Sequence, residues 1–224
     1  MIAVTTYPEW AWDVYADIMV TSFLKHWPIP LLLFADSPPP LSHDRLGVRP
    51  LSSLTERNEF LAGDHQWPPG RENFYMFDAK RFCHKVFCQI EALKEYDQVI
   101  WLDADVATFR DVPDEMIDHV MEEDINYLGR QGNYSETGFI GYNNPGHEFI
   151  DRYRSYYTDR EIYKLPYWTD CHAFDAARGF GGNNLTPQGR GVEDVFSQCI
   201  LGDYCTHLKG NRKFNIQREE ASEI

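Results

Sequence analysis

The residues most able to do chemistry are two carboxylates at the end of an apolar run. In Val99-Ile100-Trp101-Leu102-Asp103-Ala104-Asp105-Val106-Ala107-Thr108-Phe109, a buried-type strand delivers Asp103 and Asp105 where the chain leaves a sheet. In an extended segment positions i and i+2 face the same way, and two clustered carboxylates repel unless a cation lies between them. Hard oxygen ligands of this kind suit Mg²⁺ or Mn²⁺. A second pattern, HxxGxxK, lies about a hundred residues later as His207-Leu208-Lys209-Gly210-Asn211-Arg212-Lys213. Imidazole can join the metal, glycine lets the backbone approach a ligand closely, and the Lys213 ammonium is a point charge for phosphate. Together the two segments read as a metal-diphosphate site. Further carboxylates are Asp170, in Trp168-Thr169-Asp170-Cys171-His172, and Glu193 and Asp194, which open a short apolar segment. Glu193 or Asp194 could serve as a general base, or could match the dipole of a helix running from Glu193 to Leu201.

Such groups need elements to hold them. Ile2 to Thr6 is a β-branched run, Val14, Ile18, Met19 and Phe23 recur at helical spacing, and Pro30 to Ala35 is a second buried strand. That strand-helix-strand order predicts an α/β fold with a mainly parallel sheet flanked by helices, whose binding edge lies at the strands' C-terminal ends. From Asp36 to about Gly70, prolines and weak periodicity predict a long excursion with little regular structure. Asp78 can cap a helix with the stripe Phe82, Val86, Ile90 and Leu93, and Lys80, Arg81 and Lys85 in its first two turns read as solvated. Strand Gln98 to Leu102 follows, then a helix at Asp114 to Val120, strands near Ile125 to Leu128 and Thr137 to Tyr142, and a helix carrying Phe149 and Tyr153. From Pro166 onward the chain reads as site-building loops around the Glu193 to Leu201 helix. Without repeats or a clean linker, residues 1–216 form a single domain and 217–224 a C-terminal tail.

Composition narrows the partners. The chain has 224 residues and a formal charge of −14, a poor basis for displacing phosphate counterions, so no nucleic-acid scaffold is expected. No stretch approaches the ~18–20 apolar residues of a membrane span, and the opening residues read as a strand, not as a secretion signal. The five cysteines are odd in number and lack a CxxC pair, which fits reduced thiols in the cytoplasm. Aromatic residues make up 15%; core packing is the ordinary role of each ring, with Trp67, Tyr167 and Trp168 as candidates for stacking on sugars instead.

With these motifs in place, the sequence resembles the nucleotide-sugar glycosyltransferases of the GT-A fold, most closely glycosyltransferase family 8, the group of glycogenin and bacterial galactosyl- and glucosyltransferases. The resemblance rests on Asp103-Ala104-Asp105, on the His207 to Lys213 pattern, and on Glu136-Thr137-Gly138 through Asn143, which is similar to the family's N-x-G-hhhh-N strand. It implies that Asp103, Asp105 and His207 bind Mn²⁺ (or Mg²⁺) and that this ion holds the diphosphate of a UDP-sugar. It also implies donor contacts from Thr5, Tyr7, Arg81, Ala104, Gly138, Gly210 and Lys213. The activity implied is hexose transfer, from UDP-glucose or UDP-galactose to a hydroxyl of a sugar, lipid-linked sugar or protein, with retention. Two positions depart from the family: Glu136 replaces an Asn that contacts the sugar, and Cys171 replaces the Gln of a D-Q-D segment whose first Asp is Asp170. Gly191-Val192-Glu193-Asp194 is similar to the G-x-ED segment of inverting GT-A enzymes, which keeps an inverting mechanism as the alternative.

Two further readings compete. Phosphatases of haloacid dehalogenase type also place DxD after a buried strand, but they take Thr or Val two residues past the second Asp, where this chain has Ala107, and their strand lies near the chain start. An inactive sugar-nucleotide-binding descendant would account for Glu136 and Cys171, but not for the presence of Asp103, Asp105, His207 and Lys213 together.

Overall fold

The computed structural model describes residues 1–143, 147–179, 181–191, 195–210 and 212. Strand β1 (Ile2–Thr6) pairs in parallel with β2 (Leu31–Phe34) on one side and β4 (Gln98–Leu102) on the other, and β2 pairs in parallel with β3 (Leu46–Arg49). Beyond β4, β7 (Asn133–Asn143) runs antiparallel to both β4 and β6 (Ile125–Arg130), and the short β8 (Asn183–Asn184), parallel to β6, closes the seven-stranded order β3-β2-β1-β4-β7-β6-β8. This is the expected mainly parallel α/β sheet. A separate two-stranded ribbon joins β5 (Val106–Thr108) to β9 (Cys205–His207).

Helices cover both faces, as buried strands without inside-outside alternation require. Against one face lie α2 (Thr55–Ala62), α3 (Ala79–Leu93), α5 (His147–Thr158) and α6 (Asp170–Arg178), in a core that includes Val4, Val86, Trp101, Ile140 and Phe174. Against the other lie α1 (Asp17–His26) and α4 (Asp114–Val120), with Phe23, Trp27, Ile100, Met116 and Phe139. The Asp78 side chain caps α3 as its sequence predicts, accepting from the Arg81 amide.

Two stretches differ from expectation. The 36–70 excursion contains β3 and α2: β3 is an edge strand held by backbone pairing to β2, and α2 buries only Phe60, so neither leaves a strong periodic signal. The C-terminal third contains α6, whose inner face is Ala173, Phe174 and Ala177; alanines give little hydropathy contrast, and Phe174 docks on Tyr127, Phe149 and Tyr153. Conversely, the described part of the expected Glu193 to Leu201 helix forms two 3₁₀ turns, Phe196–Gln198 and Ile200–Asp203. Cys199 between them is extended, at φ −145° and ψ −179°, and interrupts the helix.

Candidate active site

The sheet topology explains why distant motifs meet. Strand β4 ends at Leu102 beside Phe139 of its antiparallel neighbour β7, so the start of β7 lies next to Asp103. The Asp103 amide donates to the Gly138 carbonyl at 2.9 Å and locks that junction. Pairing of Val106 with His207 then draws the C-terminal motif to the same place, helped by the Leu208 amide donating to the Asp105 carbonyl at 2.7 Å. The start of α6, capped by the Thr169 hydroxyl, supplies Asp170. These groups lie in a cleft of about 1340 Å³ whose lining includes Tyr7, Arg81, Lys85, Glu136, Lys209 and Gly210.

His207 is 3% exposed and sits between carboxylates. Its Nε2 is 3.0 Å from Asp105 Oδ1 and 3.9 Å from Asp103 Oδ2; its Nδ1 is 3.6 Å from Glu136 Oε1. Nδ1 is buried and has no hydrogen-bond partner among the described residues. Asp103, Glu136 and His207 each present a ligand atom, all within 4.8 Å of one another. Two carboxylates and an imidazole with an unspent nitrogen are a donor set that fits a divalent ion such as Mn²⁺. Gly138 leaves the room for it: a Cβ there would sit 2.5 Å from His207 Cε1 and 2.7 Å from Nδ1. This glycine is required for space beside the imidazole.

Lys85 is the second centre. Contrary to its expected solvated position, its ammonium is buried, 2.8 Å from Asp103 Oδ1 and 2.9 Å from Asp170 Oδ2, and it donates to the Thr137 carbonyl. The reason is its place on α3: Cys83, Val86 and Phe87 anchor that turn on the sheet, and the long side chain reaches past Trp101 to the strand ends. Burial opposes the charge on Lys85, but Asp103 and Asp170 outweigh it and raise its pKa, so it stays an ammonium. Burial also opposes ionisation of Asp170, yet Lys85 and the Thr137 hydroxyl, donating at 2.6 Å, hold its pKa below the usual carboxylate range. For Asp103 the balance tips the other way: burial raises its pKa, Lys85 lowers it, and Asp105 and Asp170 add to the rise. Added positive charge would relieve that crowding.

Glu136, in the position where the resemblance implies Asn, is buried against Lys209 and lies 3.5 Å from Arg130. Burial works against its charge, but His207, Lys209 and Arg130 prevail and keep it ionised. Cys171, in the Gln position, touches the Thr137 hydroxyl at 3.0 Å; burial and Asp170 push its pKa up, so it is a packed thiol and a poor nucleophile.

The other expected positions divide. Tyr7, Arg81, Ala104 and Gly210 line the cleft with Asp103, Asp105, Asp170 and His207, whereas Gly138 stands behind His207. Thr5 is fully buried within β1, and its neighbour Thr6 lines the cleft instead. Lys213, Glu193 and Asp194 lie outside the described residues, as does the tail 217–224. Trp168 packs edge-on against Phe77 and Tyr163, while Trp67 borders a small separate hollow and Tyr167 is exposed. The sequence reading missed Lys85, Glu136 and Lys209 as site residues. Their signals were weak: a basic residue one turn after Arg81, an acid in a glycine-broken strand, and a lysine inside the HxxGxxK spacing.

No protein-family model matches the chain, and no curated protein matches its sequence. Among solved structures, the chain is similar to the apo form of the glycosyltransferase GlyE of Streptococcus pneumoniae TIGR4, at 14% identity and TM-score 0.48, over 84% of this chain and 45% of that one. The chain thus spans less than half the length of GlyE. Mouse xyloside xylosyltransferase 1, also in apo form, is similar at 13% identity and TM-score 0.47, over 86% of this chain and 84% of that one. Similarity at this level assigns neither family nor activity. No described helix is long and apolar enough to cross a membrane.

Proposed function

We propose that this protein is a metal-dependent glycosyltransferase of GT-A type that moves a hexose from UDP-glucose or UDP-galactose to an acceptor hydroxyl with retention. The observation that carries this reading is the junction itself: Asp103, Glu136 and His207 converge within 4.8 Å at the C-terminal end of β4, on the wall of a large cleft. Ligands of open α/β sheets bind at such strand ends, where the sheet order reverses. Asp103 and His207 would hold Mn²⁺ or Mg²⁺, with the third ligand from Glu136 on the Nδ1 side of the imidazole or from Asp105 on the Nε2 side. When bound, the ion would supply Lewis-acid stabilisation of the departing diphosphate.

The chain's own groups do the rest. Lys85 holds Asp103 and Asp170 in fixed positions from one buried ammonium. Asp170, kept ionised with its pKa lowered, is a weak base and a strong hydrogen-bond acceptor, which suits orienting sugar hydroxyls better than removing a proton. Retention is the course the resemblance implies, with an inverting mechanism using Glu193 or Asp194 as base as the alternative. Arg81, on the cleft wall, offers a fork for phosphate oxygens, and Lys213 would add a second cation.

The test is a panel of nucleotide-sugars assayed for slow hydrolysis with Mn²⁺, with NMR of the product's anomeric configuration. UDP-hexose turnover that needs the ion and is abolished in Asp103→Ala is expected. Full activity in that variant, or turnover unaffected by EDTA, would overturn the metal assignment. Asp105→Asn and Glu136→Gln separate the two choices of third ligand.

A further inference from the structure

Six rings from three separate segments form a continuous arc that meets the cleft at its two ends, Tyr75 and Tyr134. Phe74 lies 5.5 Å from Tyr75 and 5.9 Å from Phe77; Phe77 lies 5.4 Å from Tyr167; Tyr167 lies 5.1 Å from His172; His172 lies 4.8 Å from Tyr134. Tyr75 and Tyr134 line the cleft, next to Thr169 and Asp170. Packing among themselves does not bury the rings: Tyr75 is 51% exposed, Phe74 39% and Tyr167 36%. Large apolar groups left open in one patch mark a binding surface more often than scattered exposure does.

The arc is also held in place. Phe77 meets Trp168 edge-on at 5.3 Å, and the Trp168 amide donates to the Met76 carbonyl at 2.8 Å, which ties the 74–77 turn to the start of α6. Tyr134 is backed by the Arg130 guanidinium, 4.5 Å from its ring centre. A platform fixed before the ligand arrives loses little freedom on binding.

We infer that this arc is the acceptor subsite and that the acceptor is a neutral saccharide; the inference rests on the glycosyltransferase reading and names the second substrate of the same site. A pyranose has an apolar C–H face and a rim of hydroxyls. Rings about 5–6 Å apart, with the Thr169 hydroxyl on the His172 imidazole and Asp170 in the same cleft lining, match that alternation. An acyl chain would favour an unbroken apolar trough without a buried carboxylate at its end. The cleft has room for both substrates, since about 1340 Å³ exceeds the ~300–1,000 Å³ of a site for one small ligand.

The experiment is saturation-transfer NMR on the full chain with methyl β-D-glucopyranoside, lactose and xylobiose. N-acetyltyrosinamide and octanol represent a peptide and a lipid alcohol. UDP binding and Mn²⁺-dependent UDP-hexose hydrolysis are measured in parallel. At least one saccharide should bind, and Tyr75→Ala and Tyr167→Ala should each weaken it ~10-fold, as expected for loss of a stacking face. Tyr75→Phe, which keeps the ring, should bind like the original, and in both alanine variants saccharide binding should fall further than donor hydrolysis. The inference is wrong if no saccharide binds, if only the amide or the alcohol binds, or if donor hydrolysis falls in step with saccharide binding. Saccharide binding without any UDP-hexose turnover would instead sink the glycosyltransferase reading while leaving the ring platform as a sugar site.

Discussion

Gly138→Ala isolates the His207 site with a single methyl group. The added carbon would lie 2.5 Å from His207 Cε1, 2.7 Å from Nδ1 and 3.0 Å from Glu136 Oε1. Carbon atoms pack at about 3.5–4.0 Å, so the imidazole must retreat by roughly 1 Å. It has little room to do so, because the Phe196 ring lies 5.2 Å away edge-on and Nε2 is held by Asp105. Ligand distances in metal sites hold to about 0.2 Å, so a 1 Å displacement removes the imidazole from the set. Affinity for Mn²⁺ should fall by about 10–100-fold, the scale seen when a ligand's support is lost. Overpacking should also cost about 1–3 kcal/mol of folding stability. Isothermal titration of Mn²⁺ in the presence of UDP reads the first effect and urea unfolding the second. Gly141→Ala is the control: its Cβ would press on Met121 Sδ at 2.7 Å and the Val120 carbonyl at 2.8 Å, destabilising the same strand away from the imidazole. Unchanged Mn²⁺ affinity in Gly138→Ala, or an equal loss in Gly141→Ala, would refute the assignment of His207 to a metal.

Three other substitutions probe the supports of the site. Lys85→Met leaves Asp103 and Asp170 without their shared ammonium and should destabilise the fold by about 3–5 kcal/mol in urea, the usual consequence of breaking a buried ion pair; a loss under ~1 kcal/mol would contradict the burial of that charge. His84 is held neutral, its pKa lowered to about 4 by burial and by Arg57, whose Nε donates to His84 Nδ1 at 2.8 Å. Between pH 6.5 and 4 the unfolded chain therefore binds a proton that the folded chain does not. Its contribution is complete above about pH 6.5 and is lost progressively toward pH 4, by about 2–3 kcal/mol, and His84→Gln should flatten that part of the pH-stability curve. Asp78→Ala removes the cap of α3 and should lower stability by about 1 kcal/mol, read as a lower Tm, while UDP binding persists.

What could be read in the sequence was what neighbours along the chain decide. The Phe82, Val86, Ile90 and Leu93 stripe and the Asp78 cap define α3 within some fifteen residues, and the apolar run before Asp103 defines β4. Helical periodicity and capping are local, so they survive without tertiary context. The pairing of Asp103 and Asp105 with His207 came from motif spacing and from resemblance; the physical link, β5 on β9, spans about a hundred residues and leaves no periodic trace. Tertiary structure alone decided the state of charged side chains. Lys85 sits on a helix turn whose sequence suits solvent, and only the meeting of α3 with the ends of β4 and α6 buries its ammonium between two carboxylates. Glu136 is unexceptional in its own strand, and only the antiparallel return of β7 sets it beside His207 and Lys209. Burial and Coulomb energy depend on distances through space, so sequence could name the groups that carry charge but not which of them would face one another.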